Sequence, residues 1–222
     1  MSRTFTQNVI VLTHGCETPH SVSETPYLVP LRECGSCTAC CSELAITADG
    51  MEKLPGVACQ HCEGGGGCAI YDARPQVCRD YHCLWRSLAH MDESWRPDRS
   101  GILIAIADVP PGMPARHAVE IMLVGPEKSL ETKAFAGMIG GFIESGTACF
   151  LNVLPAPGYF ARHMLLNDVL GPAIAARNLG KVRRLIRLCY LKLKAQQRVA
   201  ITDTDMARSR QPGGWTAETA MQ

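Results

Sequence analysis

Aromatic residues make up only 6% of this chain, and its acidic and basic residues nearly cancel, leaving a formal net charge of +1 over 222 residues. Both shortages argue against a nucleic-acid partner, which needs a basic stripe interleaved with aromatics, and the neutral balance argues equally against an anionic membrane surface. The opening residues contain an apolar run of only four, "VIVL", closed by Thr13 and His14. That is too short for a signal-peptide core and far too short to span a bilayer, so a cytoplasmic protein without a membrane partner is expected. Familiar catalytic spellings are missing as well: no phosphate-binding glycine loop, no G-x-S-x-G elbow and no H-E-x-x-H. The "GGGG" at 64–67 is followed by neither a lysine nor a helix-start signal.

Apolar material is not scarce, at 46% hydrophobic residues, so a chain of this length can build a core without metal or disulfide staples. Cysteine is abundant nonetheless. Twelve are present, nine of them between residues 34 and 83, with Cys16, Cys149 and Cys189 standing alone. Cys189 sits at helical spacing among Leu185, Ile186 and Leu193, and Cys149 lies in the strand-like "ACFLNV"; both read as small buried hydrophobes. In a reducing compartment, clustered thiols bind metal or do redox chemistry more often than they form structural disulfides.

The cluster begins with "CGSCTACC", which holds Cys34, Cys37, Cys40 and Cys41. "CGSC" is a C-x2-C pair with glycine inside the turn, a spacing that lets two thiolates converge on one ion, and "CTAC" repeats it. Neighbouring side chains usually diverge, so Cys40 and Cys41 are expected to serve different ions, or one polynuclear cluster. A second pair follows in "CQHC", Cys59 and Cys62, and the glycine run after it gives Cys68 the freedom to fold back. "PQVCRDYHCLW" reads as a short helix opening at Pro75 and carrying Cys78 and Cys83. Nine thiols supply four donors to each of two tetrahedral sites with one left over, and His61 and His82 are alternative donors. Eight thiolates around two divalent cations would retain a net charge of about −4, for which Arg32, Lys53, Arg74, Arg79 and Arg86 are the compensating cations nearest in sequence.

At "CGSCTACC", "CQHC" and "GCAIYDARPQVCRDYHCLW" the chain resembles the YkgJ-type cysteine-cluster family, described as a zinc- or iron-chelating domain. The likeness lies in a C-x2-C-x2-C-C start and a G-C-x-I-Y-x-x-R-P-x-x-C-R-x-[FY]-x-C ending, and spans roughly residues 31–90. It implies ligation by Cys34, Cys37, Cys40, Cys41, Cys59, Cys68, Cys78 and Cys83, with Cys62 competing for the eighth place. Two classes of function follow. One is a binding module that chelates zinc, two ions per chain, or iron. The other is an iron–sulfur redox or protein-modifying enzyme, akin to the lysine methylases of flagellin, which carry a similar cysteine array. Thiolates suit either group.

The second half reads differently. Apolar runs at 102–109 and 118–124 flank "PPGMP" as a hairpin. "SLETKAFAGMIGGFIESG" reads as a helix capped by Ser129 and broken or kinked near Gly140-Gly141, and "GTACFLNV" as a third strand. A last helix over 179–200 carries a basic, solvated face of Lys181, Arg183, Arg184, Arg187, Lys192 and Lys194. His117 and His163 stand alone and are not read as ligands. The expected architecture is α+β: a loop-rich, metal-binding segment packed on a small antiparallel sheet with flanking helices. Residues 1–30 form an N-terminal extension, 31–90 the cysteine cluster, 91–200 the α+β region and 201–222 a flexible tail. Residues 31–90 hold too few long apolar side chains to offset their own ordering entropy, so metal is expected to stabilise them, with Tyr71 and Trp85 packing them onto the second half.

Overall fold

The computed structural model describes residues 11–12, 28–48, 51–62, 66–154, 156–202 and 204. Cys16, nearly all of the N-terminal extension and nearly all of the 201–222 tail lie outside them. The fold is α+β. In chain order the strands are β1 (Val11–Leu12), β2 (Ala45–Ala48), β3 (Met51–Lys53), β4 (Ile102–Ala107), β5 (Ala118–Leu123), β6 (Ala148–Val153) and β7 (Arg162–Leu165). The helices are α1 (Ala39–Glu43), α2 (Gln76–Asp80), α3 (Leu84–Ser87), α4 (Pro97–Ser100), α5 (Lys133–Glu144), α6 (Asn167–Ala175) and α7 (Leu179–Lys194).

The main sheet runs β4-β5-β6-β7. β4 and β5 form the expected antiparallel hairpin, with Ile102 opposite Leu123 and Ala107 opposite Ala118. The expectation of an antiparallel sheet fails at the next pair, because β5 and β6 are parallel. Parallel neighbours need a crossover, and α5 between them is that crossover. β7 then returns antiparallel to β6. A smaller sheet, β1-β2-β3, lies in the cysteine half.

Alternation gives the main sheet two faces. One carries Ile104, Ile121, Leu151 and Met164 against Phe135, Ile139, Leu170, Ile186 and Leu193 of the three long helices, in the main core. The other carries Leu103, Ala105 and Met122, which meet Leu44, Cys40, Tyr81 and Cys83 of the cysteine segment. The segment is thus bound to the sheet on its second face. Trp85 also reaches the main core from α3, as expected, with its indole N–H on Asp92 O at 3.1 Å. Tyr71 does not share that role: its ring carries the Arg74 guanidinium at 3.6 Å, and Tyr81 takes the packing position.

Three helix expectations are corrected. Residues Glu127–Glu131 form a 3-10 turn, so α5 starts later, capped by Thr132 Oγ1, which accepts from Phe135 N at 3.1 Å. It continues through Gly140 and Gly141 to Glu144 because Phe135, Ala136 and Ile139 bury its face; tertiary packing overrides a propensity cost of about 1 kcal/mol per glycine. α7 stops at Lys194 rather than 200. Buried Arg162 donates to Lys194 O at 3.0 Å and Gln196 O at 2.8 Å, placing a cation at the negative end of the helix, and the chain beyond pairs Ala200 with Tyr159. On the basic face, Arg187 and Lys194 pair with Glu131 and Glu127 at 3.5 and 2.6 Å. No helix of the described residues is long and apolar enough to cross a membrane.

Candidate metal centre

The "CGSC" turn is closed by Cys37 N donating to Cys34 O at 2.9 Å, with Gly35 at φ +54°. Such a left-handed turn suits glycine. Residues Ala39–Glu43 follow as α1, so Cys40 and Cys41 sit on consecutive positions of one short helix. Cys59 N donates to Cys41 O at 2.9 Å, bringing the second pair beside the first, and Cys62 N donates to Cys59 O at 2.9 Å, closing the second turn without a left-handed residue. Gly66 and Gly67 then lie against the first turn. A Cβ at Gly66 would lie 2.8 Å from Ser36 O, so no other residue fits without displacing backbone. Cys68 is thereby returned to the group, paired with Cys62 in an isolated antiparallel bridge.

Cys78 lies on α2, but the single helix expected to carry both Cys78 and Cys83 is two. Tyr81 is extended, ending α2, and Cys83 caps α3 while bridging to Ala105 at the edge of β4. This change of direction separates the two thiols into different neighbourhoods. Charge on Cys34 and Cys37 acts on Cys83, and charge on Cys34 and Cys37 also acts on Cys40. Charge on Cys41 and Cys59 acts on both Cys68 and Cys78. Packing agrees, with Cys40 and Cys83 against the main-sheet cluster and Cys59 and Cys78 against Ile46, Met51 and Val77, so eight thiols form two adjoining neighbourhoods: Cys34, Cys37, Cys40 and Cys83, and Cys41, Cys59, Cys68 and Cys78, with Cys40 also in the field of Cys41.

The groups touch at Cys40 and Cys41. These neighbours lie close enough for one thiol to act on the other through a hydrogen bond, which ties their titration together. That bond, from Cys40 to the Cys41 sulfur, lowers the Cys41 thiol to about 7 against the opposing effect of burial, with the charges of Lys53 and Arg74 adding. Cys40 is driven up correspondingly, first by the same bond and then by burial. Burial also pushes Cys83 up to about 11, the charges of Cys34 and Cys37 adding to it against a backbone N–H of Arg86. Cys37, Cys68 and Cys78 are likewise raised, in each case chiefly by burial. A cation that replaces these protons must release them, so its affinity falls as pH falls.

Cys40, Cys41, Cys59, Cys68 and Cys78 line a pocket of about 40 Å³ together with His61, Arg74 and Tyr81. Among the described residues, no three Cys, His, Asp or Glu side chains are close enough together to hold an ion as they stand. All nine clustered cysteines are free and half-buried, so none is held in a disulfide. Cys149 and Cys189 are buried in the main core, and burial pushes Cys149 up to about 12, which leaves it an inert packing residue.

Of the five compensating cations expected, three serve. Buried Lys53 lies in the field of Cys59 and Cys41 and donates to the Ser42 and Leu54 carbonyls at 3.4 Å. Arg74 acts on Cys41, Cys68 and Cys78, and Arg86 donates to Cys34 Sγ at 3.5 Å. Arg32 instead donates to the Trp85, Leu88 and Ala89 carbonyls, fastening the segment to α3, while Arg79 bonds Gln76 on the exposed side of α2. Two contributors come from outside the expected segment or outside the expected chemistry. Arg96 reaches Ser36 Oγ at 3.3 Å from the start of α4 and feels the Cys37 charge. Tyr81 Oη is buried beside Cys40 and Cys83 with no hydrogen-bond partner among the described residues. Nothing in the spacing of cysteines points to either. His61 lines the pocket and bonds Gln60 at 3.2 Å, and His82 has its basicity lowered by burial and by Arg86 and Arg74.

Compared with family models, with curated proteins and with solved structures, the chain shows no match.

Proposed function

We propose that this chain is a metal-binding cysteine-cluster protein that chelates zinc or iron through thiolates, two ions per chain. The observation that carries this reading is the gathering of eight free thiols into two adjoining neighbourhoods, Cys34, Cys37, Cys40 and Cys83 from two stretches of sequence and Cys41, Cys59, Cys68 and Cys78 from three. The donor set fits a borderline or soft cation: four sulfurs per group, with Lys53 and Arg74 beside one and Arg86 beside the other to offset excess negative charge. The orphaned Tyr81 hydroxyl fits as well, because a buried O–H without an acceptor costs about 1 to 3 kcal/mol and a neighbouring thiolate would supply one. Cys34, Cys37, Cys40 and Cys83 would hold one ion, and Cys41, Cys59, Cys68 and Cys78 the other. Bound metal would supply folding free energy to a segment short of apolar contacts. Unlinked thiols in this number accord with a reducing, cytoplasmic setting.

A second reading, an iron–sulfur cluster in a redox or protein-modifying enzyme, draws on the contact between Cys40 and Cys41. It sets the two groups side by side, as one polynuclear centre requires. The test is native mass spectrometry and visible absorption of protein purified under nitrogen. Two ions per chain without sulfide are expected, colourless for zinc, falling to one in Cys41→Ser; visible absorption with sulfide in the mass would establish the second reading. A single zinc, with half of the nine thiols still open to alkylation, would overturn both.

A further inference from the structure

Eight donors leave Cys62 over, and its place in the fold is specific. It stands opposite Cys68 in an antiparallel bridge, and Ala69 N donates to His61 O at 2.9 Å. That bond links the residue before Cys62 to the residue after Cys68, which makes Cys62 and Cys68 a non-hydrogen-bonded pair. At such positions opposing Cα atoms approach to about 4.5 Å and both side chains leave the same face. Disulfides form across Cα separations of roughly 4.4 to 6.8 Å, so this backbone accepts the bond without rearrangement. Cys68 faces the pocket with Cys41, Cys59 and Cys78; Cys62 does not line it. One partner is thus a proposed ligand and the other a spare thiol directly opposite it in the bridge, both half-buried and free.

We propose that Cys62 and Cys68 form a redox pair in which oxidation by a hydroperoxide removes Cys68 from its donor group and releases the ion held there. This rests on the metal-binding reading above. The Cys62 thiolate attacks a peroxide oxygen, the O–O bond breaks, and Cys62 becomes a sulfenic acid as hydroxide leaves. The Cys68 thiolate then attacks the Cys62 sulfur, forming S–S and expelling a second hydroxide. Zinc has already displaced the Cys68 proton, so the Cys62 thiol proton and one from solvent convert both hydroxides to water, while a thiol and a thiolate lose two electrons and one hydrogen peroxide gains them. Three sulfurs remain for the ion, and a zinc site that loses a thiolate from a set of four loses affinity. The other group, which contains neither cysteine, keeps its ion. Reduction by a dithiol restores the donor.

The full chain, loaded with zinc under nitrogen, is treated with hydrogen peroxide at one equivalent. Zinc release is followed with a chromogenic chelator, and linked peptides are mapped by mass spectrometry. The expected result is loss of one zinc per chain together with a Cys62–Cys68 linked peptide, both reversed by dithiothreitol. Cys62→Ser, a half-buried site where serine fits, should bind two zinc ions and release one at least about tenfold more slowly. Release at the unaltered rate in that variant, or release without the linked peptide, overturns the proposal. A chain that binds no zinc yet forms the link would overturn the metal reading and the release step while leaving the thiol pair standing. A chain that holds two zinc ions and forms no link overturns the pair alone.

Discussion

Glu120 lies on β5 between Ala105 and Phe150, on the sheet face that receives the cysteine segment. Burial there raises its carboxyl to about 7 from an ordinary 4.5, with the Asp108 charge adding to the effect. The folded chain therefore keeps this proton up to about pH 7, whereas the unfolded chain loses it near 4.5. Stability from this group is whole below the unfolded value and is lost as pH rises through the folded one. At about 1.4 kcal/mol per pH unit of separation, the loss between pH 4.5 and 8 is about 3 kcal/mol. Glu120→Gln presents a neutral amide at every pH and has nothing to lose. Urea unfolding of both chains, in the same zinc concentration at each pH from 4.5 to 8, should show the variant gaining on the parent by about 3 kcal/mol across that range. Thiol and metal contributions are common to both chains and cancel in the difference. A difference that stays constant with pH would mean that Glu120 reaches water when ionised, and the reasoning about how tightly the segment covers the sheet would be wrong.

Two further outcomes follow from the same packing. Treatment with a strong chelator should open residues 34–82 to protease while a fragment holding β4 to α7 survives, with the surviving boundary near Cys83, because Leu84 and Trp85 belong to the main core; cleavage spread evenly along the chain would show one cooperative unit instead. Tyr81→Phe should cost the zinc-loaded protein about 1 kcal/mol, by removing a buried donor to a thiolate, and should change the chelated one little, because the segment that buries the hydroxyl is then open. Equal shifts in the two forms, read from urea midpoints, would show that the Tyr81 hydroxyl does not address a thiolate.

How far the site is legible in the chain can be followed residue by residue. Two C-x2-C turns, a glycine run and Pro75 are local devices, and the structure places Cys34 with Cys37, Cys59 with Cys62, and Cys68 back beside them by the hydrogen bonds those devices allow. Gly66 shows why the run is glycine: it packs against Ser36, thirty residues earlier, where a Cβ has no room. The cations were less legible. Lys53, Arg74 and Arg86 act on thiols, but Arg32 and Arg79, equally near in sequence, turn to carbonyls and to Gln76, while Arg96 arrives from α4. Proximity in sequence does not say which way a long side chain points.

The α+β class, the β4–β5 hairpin, the burial of Cys149 and Cys189 and the packing role of Trp85 were determined by the sequence alone, because each follows from periodicity or turn chemistry within a dozen residues. The parallel pairing of β5 with β6, the short strand β7 and the ends of α5 and α7 were decided by tertiary structure. β7 reads "RHML", with no apolar alternation to announce it; it is a strand because Asn152 and Val153 offer it an edge and Arg162 can reach the α7 carbonyls. The division of the thiols was also tertiary. Cys78 and Cys83 are five residues apart and read as one helix, yet an extended Tyr81 and a bridge from Cys83 to Ala105 send them to different groups. Spacing counts the donors, but the sheet edge assigns them, because a backbone hydrogen bond formed far away in sequence determines where the chain must turn.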